Sequence, residues 1–121
     1  MGKGTREGAV AGNALRNLAR GKPCMVRLPG ICNGDPEKTV LCHYRLADTC
    51  GAGMKPNDLQ AAWACSACHD ECDRRTRALE TEYVRLSHAE GVFRTLWQVL
   101  TRHPRTVLMY VTKRFLERRA A

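Results

Sequence analysis

The stretch ACSACHDECDRR, residues 64 to 75, sets three cysteines, a histidine and two aspartates into twelve positions. Side chains of this kind bind metals, and the chemistry depends on how they divide among ions. Cys65 and Cys68 form a C-x2-C knuckle, whose two thiolates reach one cation. Upstream, Cys24 and Cys32 bracket the turn-rich segment KPCMVRLPGICNGDPEKT. Thiolates at both ends of a tight turn can also converge on one ion. Two such pairs give tetrahedral four-sulfur coordination, the geometry of a closed structural zinc. The competing reading is unligated core cysteines. Cys50 could replace one of the four, and otherwise Cys42, Cys50 and Cys72 read as small buried hydrophobes.

His69 follows the knuckle directly. If a helix begins there, His69 and Asp73 lie four apart on one face, with Cys68 and Cys72 on a neighbouring face. An imidazole and a carboxylate so placed can hold a divalent ion with open positions. Oxygen ligation suits magnesium or manganese, and the imidazole also admits zinc or nickel. The rival explanation is a helix N-terminus with Asp70, Glu71 and Asp73 set against its macrodipole. His43 is the remaining candidate. A lone histidine at a strand end is often structural. Beside a metal pair and a basic surface, its neutral imidazole can take a proton from water attacking a phosphodiester.

The elements that must position these groups are legible in outline. Asn13 is a candidate N-cap and Gly21 a stop for a short helix over NALRNLARG. Strand and turn are expected across residues 22–39, where Asn33-Gly34 marks a turn. TVLCHYRL (39–46) is β-prone and ends near His43, and LQAAWAC (59–65) can return as a second strand. From Cys68 the pattern turns helical. Leu79, Tyr83, Leu86, Phe93, Leu96 and Leu100 recur at steps that predict one buried face, with Gly91 marking a bend. Pro104 breaks that run. Residues 105–119 predict a last amphipathic helix, although TVLMYV alone could be a strand. The apolar faces of these C-terminal helices could bury against each other or against a second subunit, which makes a homodimer a possible partner arrangement.

Composition bounds the function classes. The chain has 121 residues, 44% hydrophobic and 26% charged, as expected of a single globular domain rather than a disordered or fibrous chain. No segment reads as a signal peptide or a membrane span, so a cytoplasmic protein with no membrane partner is expected. Seven cysteines in a reducing compartment argue for metal binding rather than a disulfide framework. The net charge of +8 is uneven: residues 1–73 contribute +1 and residues 74–121 contribute +7. Such a surface attracts polyanions, nucleic acid first among them, although solvated helix faces would look the same.

These residues together resemble a known family. RGKPCMVRLPGICNGDPEKTVLCHYRL, CGAGMKPNDL and ACSACHDECDRR are similar to HNH endonucleases of the ββα-metal class, and closer to the small YbcO-like nucleases of phages and prophages. The resemblance covers about residues 14–77. It implies an α+β fold: a small zinc-stabilised ββα-metal core, HNH-like and treble-clef-like, with flanking helices and a helical C-terminal extension. The implied division is a flexible N-terminus at 1–12, a zinc-binding nuclease core at 13–78, and a basic helical extension packed on it at 79–121. It further implies His43 as general base, and His69 as ligand of a catalytic magnesium or other divalent metal. Asp73 falls where some relatives place a second helical ligand. Arg45, Arg74 and Arg75 become phosphate contacts, or else remain solvated. The implied activity is hydrolysis of DNA phosphodiesters in a bacterial host cell.

Two positions depart from the pattern. Cys42 precedes His43 where an acidic residue or histidine is usual. Gln60 holds the register of the middle asparagine, with Asn57 and Asp58 nearby, and Asp58 could substitute. A zinc-stabilised DNA-binding module without catalysis, or a protein-interaction module of a phage DNA-processing complex, is the alternative reading.

Overall fold

The computed structural model describes residues 11–51 and 53–117. The stretch expected to be flexible lies outside them up to residue 10, and so do residues 118 and 119 at the end of the expected last helix. The fold is α+β. Helix α1 spans Ala14–Ala19, strand β1 Val40–His43, strand β2 Ala61–Ala64, helix α2 Ser66–Cys72, helix α3 Thr81–Arg102 and helix α4 Pro104–Val111. A π-helical segment, Thr112–Glu117, continues α4.

The two strands pair antiparallel, with Leu41 opposite Trp63, Cys42 opposite Ala62 and His43 opposite Ala61. Alternation along a strand sends neighbouring side chains to opposite faces. Here both faces are buried, and the alternation sorts two cores. Cys42, Ala62 and Ala64 pack with Val26, Leu28, Val84, Val92 and the buried thiols. Leu41, Ala61 and Trp63 pack on the other side with Leu15, Met25, Val99 and Tyr110. Small residues in β2 let α3 lie close. The Trp63 N–H donates to the Thr95 hydroxyl at 3.0 Å, and the Met25 N–H donates to the Trp63 carbonyl at 2.7 Å.

Several expectations need correction. Asn13 makes no side-chain cap for α1. Residues 22–39 contain no strand. They form turns followed by a short 3-10 helix, Pro36–Lys38, capped by the Asp35 carboxylate accepting from the Glu37 N–H. The reason is local: prolines, and positive φ angles at Arg27, Gly30 and Gly34, interrupt extension. The expected last helix is borne out over residues 104–111, rather than a strand, with Pro104 in the first turn, where its missing N–H costs nothing.

The largest correction concerns α3. Its buried residues are Val84, His88, Gly91, Val92, Thr95 and Val99. Leu86, Phe93 and Leu100 are instead exposed, as is Trp97 at 68%. The buried face is chosen by closeness of approach rather than by side-chain size. Gly91 is not a bend, because α3 runs unbroken through it. A Cβ there would lie 3.0 Å from the Met25 carbonyl oxygen and 3.2 Å from the Val26 Cα, so glycine is what lets helix and turn touch.

Candidate functional site

Helix α2 carries the knuckle at its start. Cys65 is its N-cap, and the Cys65 sulfur accepts from the Cys68 N–H at 3.4 Å. The facing turn brings Cys24 and Cys32. There the Arg27 N–H donates to the Cys24 sulfur at 3.5 Å, and the Leu28 N–H donates to the Cys68 sulfur at 3.4 Å. The four sulfurs lie within 4.8 Å of one another, and Cys24, Cys65 and Cys68 are buried. Hydrogen bonding by Cys68, helped by backbone N–H groups, holds the Cys24 thiol down to about 4, while Cys68 is pushed up by its bond to Cys24 and by burial. Four converging sulfurs with N–H donors aimed at them fit a thiophilic cation, and this cluster can hold a metal such as zinc. Cys50 lies on the loop after β1, its thiol 3.9 Å from the Leu46 carbonyl, and joins none of the metal-competent groups among the described residues.

His69 and Asp73 lie one turn further along. The His69 Nε2 is 3.3 Å from the Asp73 Oδ2, and both side chains are partly exposed. The Cys42 sulfur lies within 4.8 Å of their ligand atoms. Imidazole and carboxylate on an accessible edge fit a divalent cation that keeps open positions.

His43 ends β1 with its Nε2 2.8 Å from Asp58 Oδ1, in a setting where Asp58 is 9% exposed. Of the three residues near the missing asparagine, Asp58 alone meets this histidine. Asn57 accepts from the Leu59 N–H and shapes the turn. Gln60 donates to the Tyr44 carbonyl and the Thr49 hydroxyl, stitching the loop that precedes β2. Asp58 itself is held from α4, since its N–H donates to the Tyr110 hydroxyl at 2.7 Å. Tyr110 gave no signal in the sequence beyond its place in an amphipathic helix.

His43, His69 and Asp73 line one open cavity of about 480 Å³, together with Arg16, Arg45, Lys55 and Arg75. Arg45 also donates to the Met54 and Gly51 carbonyls at 2.8 and 3.0 Å, bracing the loop over the cavity. Arg75 is exposed and lies 3.8 Å from Asp70 and 3.9 Å from Asp73. Arg74 turns away: it pairs with Glu71 at 3.7 Å and donates to the Leu79 carbonyl. Glu71 is fully buried rather than dressing a helix end. Its carboxylate accepts from the Thr76 hydroxyl and the Leu79 N–H, bonds that lower its pKa and staple the turn between α2 and α3.

Arg16 and Lys55 were missed: Arg16 lies in α1, away from the cysteine and histidine motifs, and Lys55, although inside CGAGMKPNDL, is brought to the cavity only by the fold. Arg16 also edges an adjoining groove with Arg20 and Lys38, and another with Lys55, Lys113 and Arg114. The basic rim is thus drawn largely from residues before position 74, although the net charge is concentrated after it.

Comparison with known proteins bears on the same residues. A family profile described as "Putative nuclease YbcO" matches residues 13–103. Two relatives, "Putative nuclease YbcO" of Escherichia coli (strain K12) and "Putative nuclease ybcO" of Enterobacteria phage 82, are each 56% identical over 81 residues, covering 67% of this chain and 84% of the relative. A solved structure, "Structure of a putative bacteriophage protein from Escherichia coli str. K-12 substr. MG1655", aligns with a TM-score of 0.61 at 46% identity, over 71% of this chain and 95% of that one. The matched span takes in the four-sulfur cluster, both histidines of the cavity and all of α3, and this chain belongs to the YbcO family.

Proposed function

We propose that the chain is a metal-dependent endonuclease that hydrolyses DNA phosphodiester bonds, with β1, β2 and α2 as an HNH-like, treble-clef-like ββα-metal core and residues 79–121 as a helical extension packed on it. The family's description as nucleases supports the general activity. The observation that carries the specific reading is that His43, bonded to Asp58 behind it, and the His69–Asp73 pair line one cavity edged by Arg16, Arg45, Lys55 and Arg75.

The hydrogen bonds support the following chemistry. Asp58 accepts the Nε2 proton of His43, fixing the tautomer and leaving Nδ1 as a base for the attacking water. His69 and Asp73 are the residues that would hold magnesium or another divalent cation, which when bound stabilises charge developing on the phosphate. Arg75 and Arg45 contact phosphates across the cavity, and Arg16 extends that contact into the neighbouring grooves. The four-sulfur cluster holds a structural zinc, so the hairpin and α2 keep their relative placement. The setting is a bacterial host cytoplasm, and no described helix is long and apolar enough to cross a membrane.

Pairing with a second copy through α3 and α4 belongs to the same proposal. Phe93, Trp97 and Leu100 recur at i, i+4 and i+7 on α3 and are exposed, as is Leu108 on α4, and such apolar surface is costly to leave in water. Sedimentation should give the mass of two chains, and a wild-type monomer would contradict the pairing.

The function is tested by incubating the purified chain with supercoiled circular DNA and magnesium, manganese or nickel. Nicked circles are expected, and excess chelator should abolish them. Binding without cutting under all three metals would instead favour a zinc-stabilised DNA-binding module.

A further inference from the structure

A third group of donors lies outside both the four-sulfur cluster and the His43 pair. Cys42 on β1, Cys72 at the end of α2 and His88 on α3 bring two sulfurs and a ring nitrogen within 4.8 Å of one another, the same closeness found among the four sulfurs. Cys42 is fully buried and His88 is 7% exposed. Cys72 is half-buried beside both. Three elements that are distant in sequence therefore each contribute one ligand-type atom to a single point in the core.

The histidine supplies an independent sign. Its Nε2 lies 2.9 Å from the Cys42 carbonyl oxygen. A ring N–H donated to a backbone carbonyl is the arrangement that orients a metal-bound imidazole and leaves Nδ1 to face the ion. The ring is further fixed edge-on to Tyr44, with centroids 5.0 Å apart.

We infer that Cys42, Cys72 and His88 form a second thiolate metal site, suited to a thiophilic divalent cation such as zinc, which ties α3 to the strand and helix that carry His43 and Asp73. Two thiolates and an imidazole select soft or borderline cations over magnesium. The site also bears on the cavity beside it, because the Cys42 sulfur lies within reach of His69 and Asp73 as well. An ion that takes Cys42 leaves the cavity with an imidazole and a carboxylate, a donor pair suited to a harder cation. One residue thereby keeps the two neighbouring positions chemically different.

Zinc content per chain tests this after expression with zinc and dialysis into metal-free buffer, for three proteins: wild type, Cys72→Ile/His88→Ala and His69→Ala/Asp73→Ala. Cys72 and His88 belong to this group alone, so their replacement should remove one zinc and leave that of the four-sulfur cluster. The His69→Ala/Asp73→Ala protein should keep both. Equal zinc in wild type and Cys72→Ile/His88→Ala overturns the inference, and so does loss of the second zinc only from His69→Ala/Asp73→Ala. Should the core variant fail to fold, X-ray absorption at the zinc edge of His69→Ala/Asp73→Ala decides. A histidine nitrogen in the first shell supports the site, and an all-sulfur shell overturns it.

Discussion

The four-sulfur cluster and the cavity share one short helix, α2, yet they are opposite kinds of site. Cys65 and Cys68 turn into the core and meet two more sulfurs, closing a set in which every donor faces another donor. His69 and Asp73, on the next face of the same segment, are partly exposed and pair with each other near Cys42 and Arg75, beside a cavity of about 480 Å³. Closure suits an ion whose work is to hold elements together, and openness suits one that must accept a substrate oxygen. A helix of seven residues can serve both because adjacent positions differ by about 100° around its axis.

That contrast predicts different failures. The largest effect should come from Cys65→Ser, or from stripping metal with a strong chelator. Structural zinc contributes on the order of 10 kcal/mol to small domains, so cooperative unfolding should vanish from a thermal melt monitored by circular dichroism. A native melt for the metal-free chain would remove the contrast. His69→Ala/Asp73→Ala should do the reverse: cleavage falls about 10³-fold while the melting temperature stays within a few degrees of wild type.

Tyr110→Phe probes the support behind the cavity. It deprives the buried Asp58 N–H of its acceptor, costing about 1–2 kcal/mol in denaturant titration and about tenfold in cleavage rate. The smallest effect is expected of Arg16→Ala. DNA binding should weaken for all sequences alike, with the slope of log affinity against log salt reduced by about 1.

Parts of this arrangement were legible in the residues because they depend on local spacing. The C-x2-C knuckle, the i, i+4 pair of His69 and Asp73, and the strand ending at His43 are all short-range patterns, and each lies where its spacing implies. The hidden parts depend on contacts across the chain. The partnership of Asp58 with His43 spans a loop, and that of Tyr110 with Asp58 spans 52 positions. Periodicity placed the buried face of α3 on its large apolar residues. The fold buries the small ones, because Gly91 meets the Met25–Val26 backbone and Thr95 receives the free N–H of Trp63. Cys42 and Cys72 read as filler until α3 delivered His88 between them.

The hydrolytic reading turns on His43, whose imidazole meets a carboxylate and lines the cavity. The most direct measurement is the nicking rate of supercoiled DNA by His43→Ala, with DNA affinity and zinc content measured on the same preparation. The expected result is a loss of about 10²–10⁴-fold in rate, the contribution of a general base, with affinity and zinc unchanged. Cleavage by His43→Ala at the wild-type rate would contradict it.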